Sequence, residues 1–427
     1  MPVFTSSIEV TADYPTIKPS LNLNFARARA LDPRITFTRA SVGTYVGRDG
    51  LIKTAGNNEA RFDHDPVTLE SLGLLIEESR TNSLTYSQPT SAASFGSNGT
   101  FTYNAATAPN GATEAFRITH NGSSGNSNWR ATRGITFGAN SMVLSIWAKG
   151  GGGNNYFVWS FQNLGGAIVR AGFKLEGDGE TSIITNGNGG HTLQIEKYPD
   201  GWYRCIIIGN TQSSGGTTQF LYTASAYSES SSISGGSVLL WGFQLEEGSF
   251  PTSYIPTSGS SVTRQADFGS ITGESFSNFF NQSEGTFDVG YRLGEDNTSM
   301  RVAQVSNGGT SNVIDLIVAS GGGTGGYWFI NTGGVSQFSA AGVTNSSQVD
   351  RNFRAVLAYK ENDCAAQQNK ITAGPTTDTS VTLATDYDRL LFYQVANNGD
   401  HIQGHLKFIR YYPKRLTDAQ VTLFSQD

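Results

Sequence analysis

Glycine constrains this chain before any motif does. The 427 residues include 51 glycines, where average usage of ~7% would give roughly 30. They follow no collagen-type period. They gather in turns such as Asn-Gly, Gly-Gly and Gly177-Asp178-Gly179, and between these turns lie short segments of alternating apolar and polar residues. A chain interrupted so often by a residue that weakens helices does not sustain long ones. The same residue supplies the positive φ that hairpin turns require. The pattern predicts an all-β protein.

Composition narrows the class further. Charged residues make up 15% of the chain, against the usual ~25%, and aromatic residues 11%. A disordered chain would lack those aromatics. The net charge is −6, and no sequence cluster of Lys and Arg forms a stripe, which argues against a nucleic-acid binder. Apolar runs such as Val238-Leu239-Leu240-Trp241 are far shorter than the ~18 residues that signal a membrane helix. The start Met1-Pro2-Val3-Phe4 shows no secretory signal pattern. Two cysteines, Cys205 and Cys364, make no disulfide framework and are expected to be free thiols.

Along the chain, residues 1–81 read as an opening β-rich attachment segment. Leu21, Leu23 and Phe25 alternate with Asn22 and Asn24. Tyr45-Val46 and Leu51-Ile52 flank Asp49-Gly50 as a hairpin. Residues 82–256 hold many short strands with polar turns, as in a sandwich. Residues 257–266 form a linker, following the stiffer Phe250–Pro256. Residues 267–427 form a second sandwich. Thr417 and Gln420 make a capping box that predicts a short terminal helix. A weak echo, Gly73–Glu78 against Gly242–Glu247, flanks the first sandwich.

Several of these strings resemble a segment of tailed-bacteriophage structural proteins. They are Ile35–Ser41, Gly43–Val46, Asp49-Gly50, Asn58-Glu59, Arg61–Pro66 and Gly73–Asn82. Asp200–Cys205, Trp241–Gly248, Ser253–Thr257 and Thr263-Arg264 continue the likeness. Gly404–Asp418 is similar to the end of concanavalin A-like (laminin G-like) jelly rolls. The resemblance implies an all-β, multi-domain protein with two antiparallel β-sandwiches, the first of carbohydrate-binding-module type. It implies a virion component assembled in the host cytoplasm: a tail fibre, an adhesin or a capsid knob. Its partners would be other virion proteins, through the N-terminal segment, and a host-surface glycan. A homo-oligomer such as a trimer suits a fibre, although no coiled-coil heptad is present to drive it. The alternatives are a capsid decoration protein with a structural role and a polysaccharide depolymerase.

The residues themselves favour binding over catalysis. Glu176, Asp178 and Glu180 match an alternating acidic pattern of glycosidases, but the intervening glycines predict a turn. Glu77-Glu78 and Glu246-Glu247 are adjacent pairs that face opposite sides of a strand, and one of them is expected to be buried against Arg80 or Arg264. Asp63-His64-Asp65 looks ligand-like, and His401 and His405 lie four apart, yet four converging zinc ligands are not in view. Calcium is the one cofactor left open, through Asp386 and Asp388, with Glu295-Asp296-Asn297 and Asp178 as weaker candidates. There is no G-x-S-x-G and no Walker A motif.

Glycan binding fits best, because sugar C–H faces stack on aromatic rings while hydroxyls meet amides and carboxylates. Trp147 and Trp241 lie in apolar strand runs, Trp202 lies in a strand-opening motif, and all three read as core. The glycan-binding candidates are Trp129, in polar surroundings, Tyr156 and Trp159, on one strand, and Tyr327 and Trp328, after a glycine-rich loop.

Overall fold

The computed structural model describes residues 15–88, 99–120, 130–132, 141–152, 155–162, 168–186, 190–210, 218–224, 236–294, 300–318, 327–340, 352–369, 375–392 and 402–426. Within them every strand pairing is antiparallel. The chain is all-β and multi-domain, with two sandwiches.

The middle sandwich pairs a six-stranded sheet with a five-stranded one. The six-stranded sheet centres on Ser141–Gly150 and Ser237–Glu247. In Ser141–Gly150 alternation sends Met142, Leu144, Ile146 and Ala148 into the inter-sheet core. Trp147 points the other way, into a second cluster with Trp202, Trp241, Tyr198 and Tyr254. This sheet is therefore buried on both faces, which explains its unbroken apolar runs. The hairpin Gly43–Val46 and Ile52–Ala55 covers the outer cluster through Val46 and Ile52. Its Gly50 has φ +75°, as the Asp-Gly turn predicts.

The other sandwich pairs an eight-stranded with a seven-stranded sheet. Segment 1–81, read from sequence as a unit of its own, contributes directly to it through its described strands. Leu21–Asn24 pairs with Gly404–Tyr412, and so does Ser71–Ile76, which then receives Phe62–His64 on its far side. Thr36–Thr38 joins the opposite sheet beside Phe268–Thr272. Leu21, Leu23, Phe25, Leu74 and Ile76 thus sit in one core with Phe287, Tyr359 and Tyr411. The middle sandwich is inserted, in chain order, between parts of this one. The 257–266 stretch is not a free tether either, since Val262–Arg264 pairs with Arg80–Asn82. The two copies of the Gly73 echo lie in different sheets and do not pair.

The terminal helix spans Asp418–Gln426. Gln420 N donates to Thr417 Oγ1 at 3.3 Å and Thr417 N donates to Gln420 Oε1 at 3.1 Å, which is the reciprocal capping box. Val421 and Phe424 pack it on the outer face of the eight-stranded sheet.

Both cysteines are buried and unpaired. Burial pushes the Cys364 thiol up to about 11 and the Cys205 thiol well above its ordinary value. Neither is expected to react with Ellman's reagent in the native protein, whereas both should react after unfolding. Fast native labelling of either would show that its cover opens.

Candidate functional site

A cleft of about 520 Å³ opens where the hairpin, the middle sandwich and the terminal sandwich meet. It has the size of an ordinary ligand site. Tyr45, Asp63, Pro66 and Val67 line it from the opening segment, Trp147, Glu196, Tyr198 and Arg204 from the middle sandwich, and Arg292 and His405 from the terminal one.

Strand order brings these distant residues together. Phe62–His64, Ser71–Ile76 and Gly404–Tyr412 are successive neighbours, so Asp63 lies near His405, 342 positions away in sequence. His405 Nε2 donates to Asp63 Oδ2 at 2.8 Å, and the other Asp63 oxygen accepts Val46 N–H at 2.6 Å. His64 Nδ1 donates to Val46 O at 3.2 Å. The ligand-like Asp63-His64 pair therefore docks the hairpin by gripping both polar groups of Val46. Asp65 accepts the N–H groups of Val67 and Thr68 at 2.9 and 2.7 Å. Partial burial works against ionisation of this carboxyl, but those hydrogen bonds and the charge of Arg292 prevail and hold it below the ordinary aspartate range. His405 Nδ1 is buried with no partner among the described residues.

On the opposite wall, the Asp200–Cys205 string sorts by parity. Asp200 and Gly201 take positive φ, +56° and +74°, and turn the chain into the strand Tyr203–Asn210. Tyr203 and Cys205 enter the inter-sheet core, while Arg204 comes out beside Trp147. Its guanidinium lies 4.8 Å from that ring and donates to Thr252 O at 2.7 Å and Ser145 Oγ at 3.1 Å. The cleft thus holds planar polar groups whose orientations are fixed by their neighbours. Half-buried Tyr45 and exposed Val67 supply apolar faces beside them.

Under the cleft lies a buried charge network. Arg39, Arg61, Arg264, Glu77 and Asp267 are all buried. Asp267 joins Arg39 and Arg61, and Glu77 joins Arg61 at 2.6 Å and Arg264 at 3.5 Å. Glu77 also accepts Ser253 N–H at 2.8 Å, and Glu246 accepts Thr252 N–H at 3.2 Å. The first glutamate of each copy of the sequence echo therefore holds one of two consecutive residues of one segment. Glu77 is buried against Arg264, within the sequence expectation, while Arg80 pairs with Glu78 instead. Asn82 adds to the joint, donating to Phe243 O at 3.1 Å and Ile255 O at 2.9 Å. Many residues that carry the phage resemblance are thus residues of the joint between sandwiches.

The sequence-derived glycan candidates do not converge on this cleft. Trp159 is 1% exposed, in the central strand of the five-stranded sheet, and Trp328 is 3% exposed, stacked on Phe287 at 5.8 Å. Both readings are corrected: strand alternation turns these rings into cores, so neither has a face free for a sugar. Tyr156 and Tyr327 are half-buried on two different sandwiches. Trp129 lies outside the described residues, as do His401, Glu295-Asp296-Asn297 and Gly321–Gly323. Trp147, Trp202 and Trp241 are buried, as expected of core residues.

The acidic candidates are accounted for individually. Glu176–Gly179 is a turn closed by Gly179 N–H on Glu176 O at 3.0 Å, with Gly177 and Gly179 at φ +64° and +84°. Glu180 pairs with Lys174 and Asp178 with Lys197. Asp386 accepts from Asn307 at 2.7 Å and Asn312 at 2.9 Å, and Asp388 pairs with Arg389 at 2.6 Å. The calcium reading of Asp386 and Asp388 is thereby corrected, because these carboxylates face amides and a guanidinium rather than each other. Among the described residues no three His, Cys, Asp or Glu side chains are grouped to hold a metal. Sequence reasoning missed Tyr45 and Val67, since it weighed tryptophans. The available signal was the polar string Asp63–Asp65 running into Pro66.

No family model matches this chain, and no curated protein matches it. Solved structures that resemble it include the CBM40 domain of the Ruminococcus gnavus IT-sialidase bound to α2,3 sialyllactose, at 12% identity over 34% of this chain and 84% of that one, TM-score 0.29. Domains LG4-5 of the mouse laminin α1 chain match at 8% identity over 64% and 82%, TM-score 0.22. Trypanosoma rangeli sialidase matches at 12% identity over 63% and 50%, TM-score 0.28. The distant structural neighbours are thus carbohydrate-binding-module, laminin G and sialidase proteins.

Proposed function

We propose that this protein binds glycans without cleaving them, in the junction cleft, and is displayed on the surface of a tailed-phage particle. The observation that carries the binding reading is the cleft itself. It sets oriented carboxylate, imidazole and guanidinium groups beside the apolar faces of Tyr45 and Val67. Sugars need both: fixed polar partners for hydroxyls and apolar faces for C–H surfaces. The imidazole of His405, held by Asp63, lines the cleft beside them. Binding is favoured over hydrolysis because the cleft carboxylates already serve the fold. Asp63 holds the hairpin and His405, and Asp65 holds its own turn. The phage placement is supported by the sequence resemblance alone. Multiple copies on a particle would turn weak sites into firm attachment.

The test is a glycan array followed by calorimetry on the hits. Tyr45→Ala and His405→Ala are each expected to weaken binding about tenfold, the effect of losing one stacking or hydrogen-bonding contact. Unchanged affinity in both variants would remove the cleft as the site. An array without hits, joined to stoichiometric capsid binding, would select the structural decoration role instead.

A further inference from the structure

A second cleft of about 860 Å³ shares Tyr45 and His64 with the junction cleft. This second cleft lies between the loop after Leu21–Asn24 and the tip of the hairpin. Three exposed arginines, Arg27, Arg29 and Arg48, stand around it. Among the described residues none of them has an ion pair, while Lys53 is neutralised by Asp49 at 2.7 Å. A chain of net charge −6 thus gathers three arginines without an ion pair among the described residues along the path of this cleft. Unpaired guanidiniums contribute nothing to the fold through ion pairing, and their fork suits carboxylate and sulfate oxygens. Tyr45 and Leu69 border the path with apolar surface. Leu69 is 46% exposed and held at φ +61°, a conformation uncommon for leucine.

We propose that this path binds an acidic polysaccharide, with Arg27, Arg29 and Arg48 taking the anionic groups of successive sugar units. The inference rests on the glycan reading of the junction cleft and adds the ligand class. An acidic glycan fits better than a nucleic acid, because three unpaired cations are few for a duplex while the apolar borders suit sugar rings.

The experiment measures binding of dextran, polygalacturonate and dextran sulfate, with duplex DNA as a further polyanion, to the full chain at low and high salt. The wild type is compared with the triple variant Arg27→Gln, Arg29→Gln, Arg48→Gln and with Tyr45→Ala. The three arginines are exposed, so the triple variant should keep the wild-type unfolding midpoint, which is checked in parallel. The expected result is that at least one acidic polymer binds about tenfold or more tighter than dextran and DNA, that salt erodes the margin, and that the triple variant removes it. Which acidic polymer binds tells carboxylate from sulfate recognition. Equal binding of acidic polymers by the triple variant and the wild type overturns the proposal, and so does equal binding of DNA. If the triple variant changes nothing but Tyr45→Ala still abolishes binding of a neutral glycan, the junction-cleft reading survives alone. If no polymer binds at all, this proposal fails, and the glycan array alone decides the junction-cleft reading.

Discussion

Asp267→Ala is expected to lower the unfolding free energy by about 3–5 kcal/mol, the usual effect of stranding buried charge. Asp267 is fully buried. Its carboxylate accepts from Arg39 Nη1 at 3.0 Å, from Arg61 and from Glu77 N–H at 3.0 Å. Removing it leaves Arg39, Arg61 and Arg264 facing fewer acids in a space that water does not reach. Denaturant titration checks this, and Asp267→Asn should cost less because it keeps the shape. The same network makes stability depend on acid. Burial alone would raise Glu77, but Arg264, Arg61 and the Ser253 hydrogen bonds outweigh it and hold the carboxyl well below its ordinary range. A carboxyl depressed in the folded state contributes stability above its unfolded pKa, near ~4.3. That contribution is lost as pH falls below this value toward the folded one. Stability should therefore drop steeply below about pH 4, and Glu77→Gln, although less stable at neutral pH, should show a flatter acid limb. An equally steep limb in that variant would place the acid sensitivity elsewhere.

Gly73→Ala should be nearly as damaging, by about 2–5 kcal/mol from backbone strain and overpacking together. Gly73 has φ +107°, and a Cβ there would stand 2.2 Å from the Leu406 carbonyl oxygen. Backbone does not yield as a flexible side chain does. The strand Gly404–Tyr412 would have to move away from Ser71–Ile76, taking His405 from Asp63. The variant should therefore lose both thermal stability and glycan affinity. Gly56→Ala is the control, because the atom its Cβ would meet first is a glutamate side-chain oxygen at 3.5 Å. A Gly73→Ala protein as stable as the wild type would mean that these strands are less tightly paired than described.

What was legible in the sequence was local. The Asp49-Gly50 hairpin, the Glu176–Gly179 turn and the Thr417 capping box each rest on residues a few positions apart, and all three form as the residue types dictate. The fold class followed from their sum. The joint was not legible, because Leu21 pairs with Tyr411 and no local pattern encodes such a partner. For the same reason the opening segment read as a separate tether. The candidate site was half visible: Asp63, His64, Asp65 and His405 drew notice as potential metal ligands, but their work in docking the hairpin depends on Val46, which looks like any strand valine. Trp159 and Trp328 misled because an aromatic residue in a strand has the same sequence signature whether its ring faces a core or a sugar.

The placement of Leu21–Asn24 beside Gly404–Tyr412 also sets an order of events on the ribosome. Strands of the middle sandwich, from Gly99–Thr107 to Ser237–Glu247, find their partners among themselves, so that unit can close while translation continues. The opening strands cannot. Leu21, Leu23, Phe25, Leu74 and Ile76 must remain without their core until residues near 404–412 emerge, some 300 codons after the last of them. At ~5–20 residues per second that wait lasts roughly 15–60 seconds. Once Ser237–Glu247 has emerged, the nascent chain carries a finished domain and an unfinished one. The unfinished one is the part that chaperones would have to shield.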